Sequence, residues 1–222
     1  MFIKICGITR PGEIEYLNEY KPDYAGFVIY EPSKRYVTPD QASDLASMLD
    51  PEIKRVAVLV SPDAELIKKV EESGFADILQ IHRELTEEAL RAATLPVWAA
   101  VNLSDLTGYE EAIKRIDELP GKLPEKITAI VADAPEFGSG KTFNWKSCDI
   151  RKSKRTLKAG TNSPPARLFC LAGGLNAANV AEGIRIFEPD IVDVSSGVEG
   201  EQGKDPVKIR DFIQTVRKEE NI

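Results

Sequence analysis

Short runs rich in β-branched and apolar residues alternate along the chain with longer stretches whose apolar positions recur every three or four residues. This is the pattern of strand-then-helix units around a parallel sheet. Eight apolar runs occur, at 2–6, 24–29, 55–60, 77–81, 97–101, 128–132, 168–172 and 191–195, and helical patterning follows most of them. In 38–49, Thr38 is placed to cap, Pro39 takes the first helical position, and Ala42, Leu45, Ala46 and Leu49 share a face. Ser61-Pro62 and Asp205-Pro206 repeat the cap-then-proline start, and Gly74 fits a helix stop. Such a chain is predicted to be α/β: a single (β/α)8 TIM barrel with parallel strands, residues 1–222 forming one domain. An open doubly wound sheet is the competing topology, but it leaves edges that a barrel lacks. The stretch 146–167 breaks the rhythm, being basic and poor in apolar residues with Gly160, Pro164 and Pro165 within it. It reads as a solvated loop or an irregular sixth helix region.

Composition narrows the function classes. The 222 residues are 42% hydrophobic and 29% charged, enough apolar material for a sizeable core. A net charge of −7 disfavours general binding to nucleic acid. The cysteines, Cys6, Cys148 and Cys170, are odd in number, and with a single histidine they supply neither a disulfide framework nor a standard zinc cluster. The first strand is interrupted by Lys4 and has no signal-peptide character, and no apolar run reaches transmembrane length. A reducing, cytoplasmic setting without a membrane partner is expected.

In a barrel of this kind, chemistry belongs at the C-terminal ends of the strands. Cys6 ends the first, Arg35 lies after the second, His82 follows the fourth, Asp133 ends the sixth, and glycine-rich loops follow the last two. Gly173-Gly174, with Asn176 read as opening a helix, and Ser195-Ser196-Gly197 both offer main-chain amides to an anion, the common barrel site for a phosphate. Lys141, within Gly138-Ser139-Gly140-Lys141-Thr142, adds a point charge on a possible third wall. Cys6 is a candidate general base if neighbouring dipoles lower its pKa, against the reading of an inert buried thiol. Asp133 is a candidate acid, against a plain cap. His82 is equally a positioning group, and Arg35, suited to a carboxylate, is equally a solvated charge. Trp98 and Trp145 read as packing.

The motifs Lys4-Ile5-Cys6-Gly7-Ile8-Thr9, Ala25-Gly26-Phe27-Val28, Ser33-Lys34-Arg35-Tyr36-Val37, Gln80-Ile81-His82, Gly138 through Trp145 with Asp133 before it, Leu171-Ala172-Gly173-Gly174-Leu175-Asn176 and Asp193-Val194-Ser195-Ser196-Gly197-Val198-Glu199 run nearly end to end. In this set and order the chain resembles the phosphoribosylanthranilate isomerases of tryptophan biosynthesis. The resemblance implies an Amadori rearrangement without metal or organic cofactor. In it, the residue matching Asp133 protonates the furanose oxygen and the one matching Cys6 removes the C2′ proton. Arg35 would pair the anthranilate carboxylate, and Asp193 would hold sugar hydroxyls or the acid's surroundings. The implied ligand is a small phosphorylated aminosugar, with monomer or homodimer both open and contact with other tryptophan-pathway enzymes a further possibility. Arg83 stands where the family usually has glycine, Asn144 where it has aspartate, and 146–167 lacks its short apolar helix. Two competing readings are a histidine-pathway aminoaldose isomerase, which would carry aspartate on strand one in place of Cys6, and a phosphate-binding barrel without turnover.

Overall fold

The computed structural model describes residues 1–102, 106–133 and 167–219. Eight parallel strands close on themselves in chain order: β1 (Phe2–Cys6), β2 (Tyr24–Val28), β3 (Lys54–Val60), β4 (Ile78–His82), β5 (Val97–Asn102), β6 (Ile127–Asp133), β7 (Leu168–Leu171) and β8 (Ile191–Val194). Each lies within a residue of its expected bounds. The surrounding helices are α1 (Pro11–Tyr20), α2 (Pro39–Ser47), α3 (Ala64–Glu72), α4 (Glu87–Ala92), α5 (Leu106–Asp117), the short α6 (Leu123–Lys126), α7 (Val180–Phe187) and α8 (Pro206–Glu219). After β8 the chain makes a 3-10 turn, Ser196–Val198, and a two-stranded antiparallel pair, β9 (Glu199–Gly200) with β10 (Gly203–Lys204).

Two apolar layers follow from the twofold alternation of the strands. Ile3 and Ile5 of β1, Leu79 and Ile81 of β4, and Val192 and Val194 of β8 join the layer between barrel and helices. The intervening positions point inward, where Val56, Val58, Trp98, Val131, Cys170 and Ile191 fill the barrel. Trp98 is buried there, its ring edge-on to Tyr24 at 4.9 Å, as a packing role requires. The same alternation turns Lys4 and Cys6, Gln80 and His82, and Asp193 inward, so polar groups occupy the upper interior.

Helix starts test the capping signals individually. Thr38 caps α2 through a full capping box with Gln41, and the Asp205 carboxylate accepts from the amides of Val207 and Lys208 at the start of α8. Gly74, at φ +70°, ends α3. Ser61 does not cap α3. Asp63 does, accepting from Leu66 N at 2.8 Å, because Pro62 sits outside the helix rather than at its first position. Ser61 instead adopts φ +44° and its hydroxyl accepts from Glu84 N, tying the β3 loop to the β4 loop. Asn176 likewise opens no helix: α7 starts at Val180, and 176–179 form a polar turn in which Asn179 Oδ1 accepts from Asn176 N at 2.8 Å. Of the basic stretch 146–167, only Arg167 is described, and it is not a solvated charge. Its guanidinium meets Asp117 at 2.6 Å and the carbonyls of Ile127 and Pro124, locking α5 and α6 to the barrel. The expected irregular sixth helix lies outside the described residues.

Candidate active site

A cavity of about 380 Å³ opens at the C-terminal end of the strands. Cys6, Arg35, His82, Asp133, Gly173, Gly174, Asp193, Ser195 and Ser196 line it, so nine of the eleven residues singled out in the sequence meet in one place. Gly197 does not line it, and Lys141, with the rest of 138–145, lies outside the described residues. The position of Gly197 has a steric cause: a Cβ there would come within 1.9 Å of the Leu175 carbonyl oxygen. Gly197 is therefore the contact that lets the β7 and β8 loops pack backbone to backbone, rather than part of the surface they present. Gly173 and Gly174 hold φ +86° and +68°, a conformation that suits residues without a Cβ and exposes the main chain to the cavity. Asn179 Nδ2 donates to the Gly174 carbonyl at 3.0 Å and fixes that loop.

Electrostatics divide the site into a buried floor and a charged rim. On the floor, Lys4 is fully buried and its Nζ donates to Asp193 Oδ2 at 2.8 Å. Asp193 Oδ1 and Gln80 Oε1 are buried acceptors with no protein donor among the described residues. Both residues line the cavity, an arrangement suited to hydroxyl groups of a sugar. Burial pushes the Cys6 thiol up; Lys4 opposes this, Asp193 adds to it, and the net direction is upward. The lowered thiol pKa expected of a base is therefore not found. The cause is a low-dielectric floor that disfavours any anion.

At the rim, Arg35 makes a two-pronged contact with Glu199, Nε to Oε1 at 2.5 Å and an Nη to Oε2 at 3.1 Å. Lys34 reaches Oε2 and Lys204 reaches Oε1, each at 3.0 Å. Burial acts to raise the Glu199 carboxyl, but Arg35, Lys204 and Lys34 outweigh it and hold it well below the usual carboxylate range. Arg35 is thus neither free nor solvated. Glu199, Lys204, Gln80 and Lys4 carry no assigned role in the sequence reading. The inward alternation of β1 and β4 could have marked Lys4 and Gln80, whereas Glu199 and Lys204 depend on a tertiary contact across the barrel mouth.

A family model described as N-(5′-phosphoribosyl)anthranilate (PRA) isomerase matches residues 3–215. The chain belongs to the phosphoribosylanthranilate isomerase family. It is 40% identical over 220 residues to the N-(5′-phosphoribosyl)anthranilate isomerase of Thermoanaerobacter pseudethanolicus, covering 97% of both chains. Its fold superposes with TM-score 0.79 on a dimeric phosphoribosylanthranilate isomerase from Thermotoga maritima, crystallised as monomers, at 32% identity over 98% of this chain and 99% of that one. A phosphoribosylanthranilate isomerase solved with reduced 1-(o-carboxyphenylamino)-1-deoxyribulose 5-phosphate gives TM-score 0.79 at 30% identity with the same coverage.

In this chain one departure from the family pattern has a visible backbone consequence: Arg83 adopts φ +64°, a conformation that favours glycine, and lines the cavity. Its neighbour His82 accepts from Gln80 Nε2 at 2.7 Å. Burial first, then Lys4 and Arg83, push His82 down from 6.5 to about 3. The folded protein therefore keeps a neutral imidazole where an unfolded histidine takes up a proton. Below about pH 6.5 the unfolded chain binds the extra proton, so stability present at neutral pH is lost as the pH falls toward 3, at up to ~1.4 kcal/mol per pH unit. Urea unfolding at pH 7 and pH 5 should show a steeper loss for wild type than for His82→Asn. Parallel losses would mean that His82 protonates in the folded state.

Proposed function

We propose that this chain catalyses the Amadori rearrangement of N-(5-phosphoribosyl)anthranilate to 1-(2-carboxyphenylamino)-1-deoxyribulose 5-phosphate, with Asp133 as general acid and Cys6 as general base. The observation that carries the assignment of roles is that Cys6 and Asp133 line one cavity, which the glycine loops after β7 and β8 also wall. Asp133 protonates the furanose oxygen, the C1′–O bond breaks, and the anthranilate nitrogen lone pair forms the iminium. Cys6 as thiolate takes the C2′ proton, and the electron pair of that C–H bond gives the enolamine. Protonation at C1′ and loss of the C2′ hydroxyl proton complete the ketone. The reaction is redox-neutral overall: protons are delivered to the ring oxygen and to C1′ and taken from C2′ and its hydroxyl, two given and two taken, so an acid and a base that begin in opposite protonation states suffice.

Substrate placement follows the same logic. The phosphate is assigned to main-chain amides of Gly173, Gly174, Ser195 and Ser196, with Gly197 holding the two loops together. Arg35 is assigned to the anthranilate carboxylate, Asp193 and Gln80 to sugar hydroxyls, His82 to positioning from the cavity wall, and Lys141 to the phosphate side. No described helix is long and apolar enough to cross a membrane, and a cytoplasmic enzyme with a small-molecule ligand fits the biosynthetic role. A homodimer is the natural assembly by analogy with the dimeric Thermotoga maritima relative. Purified protein mixed with N-(5-phosphoribosyl)anthranilate is expected to accelerate the decay of substrate fluorescence. No acceleration, with a phosphate analogue still bound, would overturn the activity in favour of a ligand-binding barrel.

A further inference from the structure

We infer that Lys4 is a positioning residue for the base: its buried ammonium is the counter-ion that allows Cys6 to exist as a thiolate on the cavity floor. The inference rests on the acid–base reading above and adds to it the group that makes the base workable.

A lysine is almost never fully buried without a partner, and Lys4 is fully buried. Its bond to Asp193 Oδ2, 2.8 Å across the β1–β8 ladder, accounts for one of its three donors. Lys4 and Cys6 are two residues apart on β1 and so face the same side. Gly26, paired with Cys6 on β2, fixes where the two side chains end. A Cβ on Gly26 would lie 2.8 Å from Cys6 Sγ and 3.2 Å from Lys4 Nζ, so ammonium and thiol converge on the space that this glycine leaves empty. An opposite charge within ~4–6 Å favours the ionised form of a thiol.

The other groups facing Cys6 leave this work to Lys4. Asp193 on β8 is an anion and acts against a thiolate, and Cys170 on β7 is a second buried thiol whose own pKa is pushed well up by burial. Lys204 on β10 acts in the favourable direction, but its Nζ is already committed to Glu199 at 3.0 Å and to the Ser195 carbonyl at 3.1 Å. Burial acts to lower the Lys4 ammonium, yet Asp193 and Cys6 outweigh it and keep it above the ordinary lysine range, so it stays charged throughout the working pH. The cation nearest the thiol in sequence and on the barrel face is thus permanent, and its bond to Asp193 uses only one of its three N–H donors.

The test is the pH dependence of iodoacetamide alkylation at Cys6, followed by peptide mass spectrometry so that Cys148 and Cys170 are scored separately. Lys4→Met is expected to slow Cys6 alkylation at neutral pH by roughly tenfold or more, corresponding to about one pKa unit. It should lower kcat for the rearrangement by a similar factor with KM little changed. Because Lys4→Met leaves Asp193 alone in the interior, Lys4→Met/Asp193→Asn removes the pair together and is measured alongside. Lys4→Arg is expected to recover part of the alkylation rate. A folded Lys4→Met variant whose Cys6 alkylation profile matches wild type, or a double variant whose Cys6 is alkylated faster than that of Asp193→Asn alone, would overturn the inference, reducing Lys4 to a partner of Asp193. Failure of the underlying reading has a different signature, namely turnover surviving Cys6→Ala whatever Lys4 does.

Discussion

Cys6→Ala is expected to lower kcat by ~10²- to 10⁴-fold, the range that a positioned proton-transfer group contributes, while leaving the affinity for a phosphorylated product analogue and the folded structure nearly unchanged. The reason lies in where the sulfur sits. It projects from the end of β1 into the cavity and packs beside Gly26, so its removal deletes a reacting group without opening a void in the layer between barrel and helices. The phosphate contacts proposed above come from β7 and β8 loops whose side chains and amides the substitution leaves in place. Initial rates and analogue titration on the same preparation separate the two effects. A variant turning over at the wild-type rate would remove Cys6 from the mechanism.

Asp133→Asn should produce a loss of similar size by a different route. The amide has nearly the shape of the carboxyl and preserves packing at a position only 8% exposed, but it cannot give a proton to the ring oxygen. Ring opening is then left to solvent, which the depth of the site restricts. The expected signature is a fall of ~10²- to 10⁴-fold in kcat with KM within a few-fold of wild type. A rise in KM with kcat intact would instead make Asp133 a binding group, and another acid would have to be sought.

The barrel was legible because its strands are short, β-branched and bounded by turns, and because a parallel strand buried on both sides leaves a continuous apolar run. The helix starts were legible only where a capping residue stood directly before the helix. Ser61-Pro62 and Asn176 carry the composition of a cap but belong to polar turns, and single-chain spacing does not separate the two. Cys6, Asp133 and the glycine loops could be found from their place at strand ends. Lys4 shares its strand face with Cys6, so the alternation of β1 could have marked it as inward, but nothing in the sequence shows what would balance its charge there. Its partner Asp193 is 189 residues away, brought beside it only when β8 closes against β1. The Arg35–Glu199 contact was hidden for the same reason.

That last contact gives the rim a decoy. Glu199 occupies the guanidinium fork with a carboxylate of the protein's own, so on the proposed placement an aromatic acid arriving at Arg35 would exchange one anion for another, with Lys34 and Lys204 still in reach of the displaced side chain. Under that placement Arg35 is fixed in advance by Glu199, and a guest without an acid group would have nothing to exchange for it.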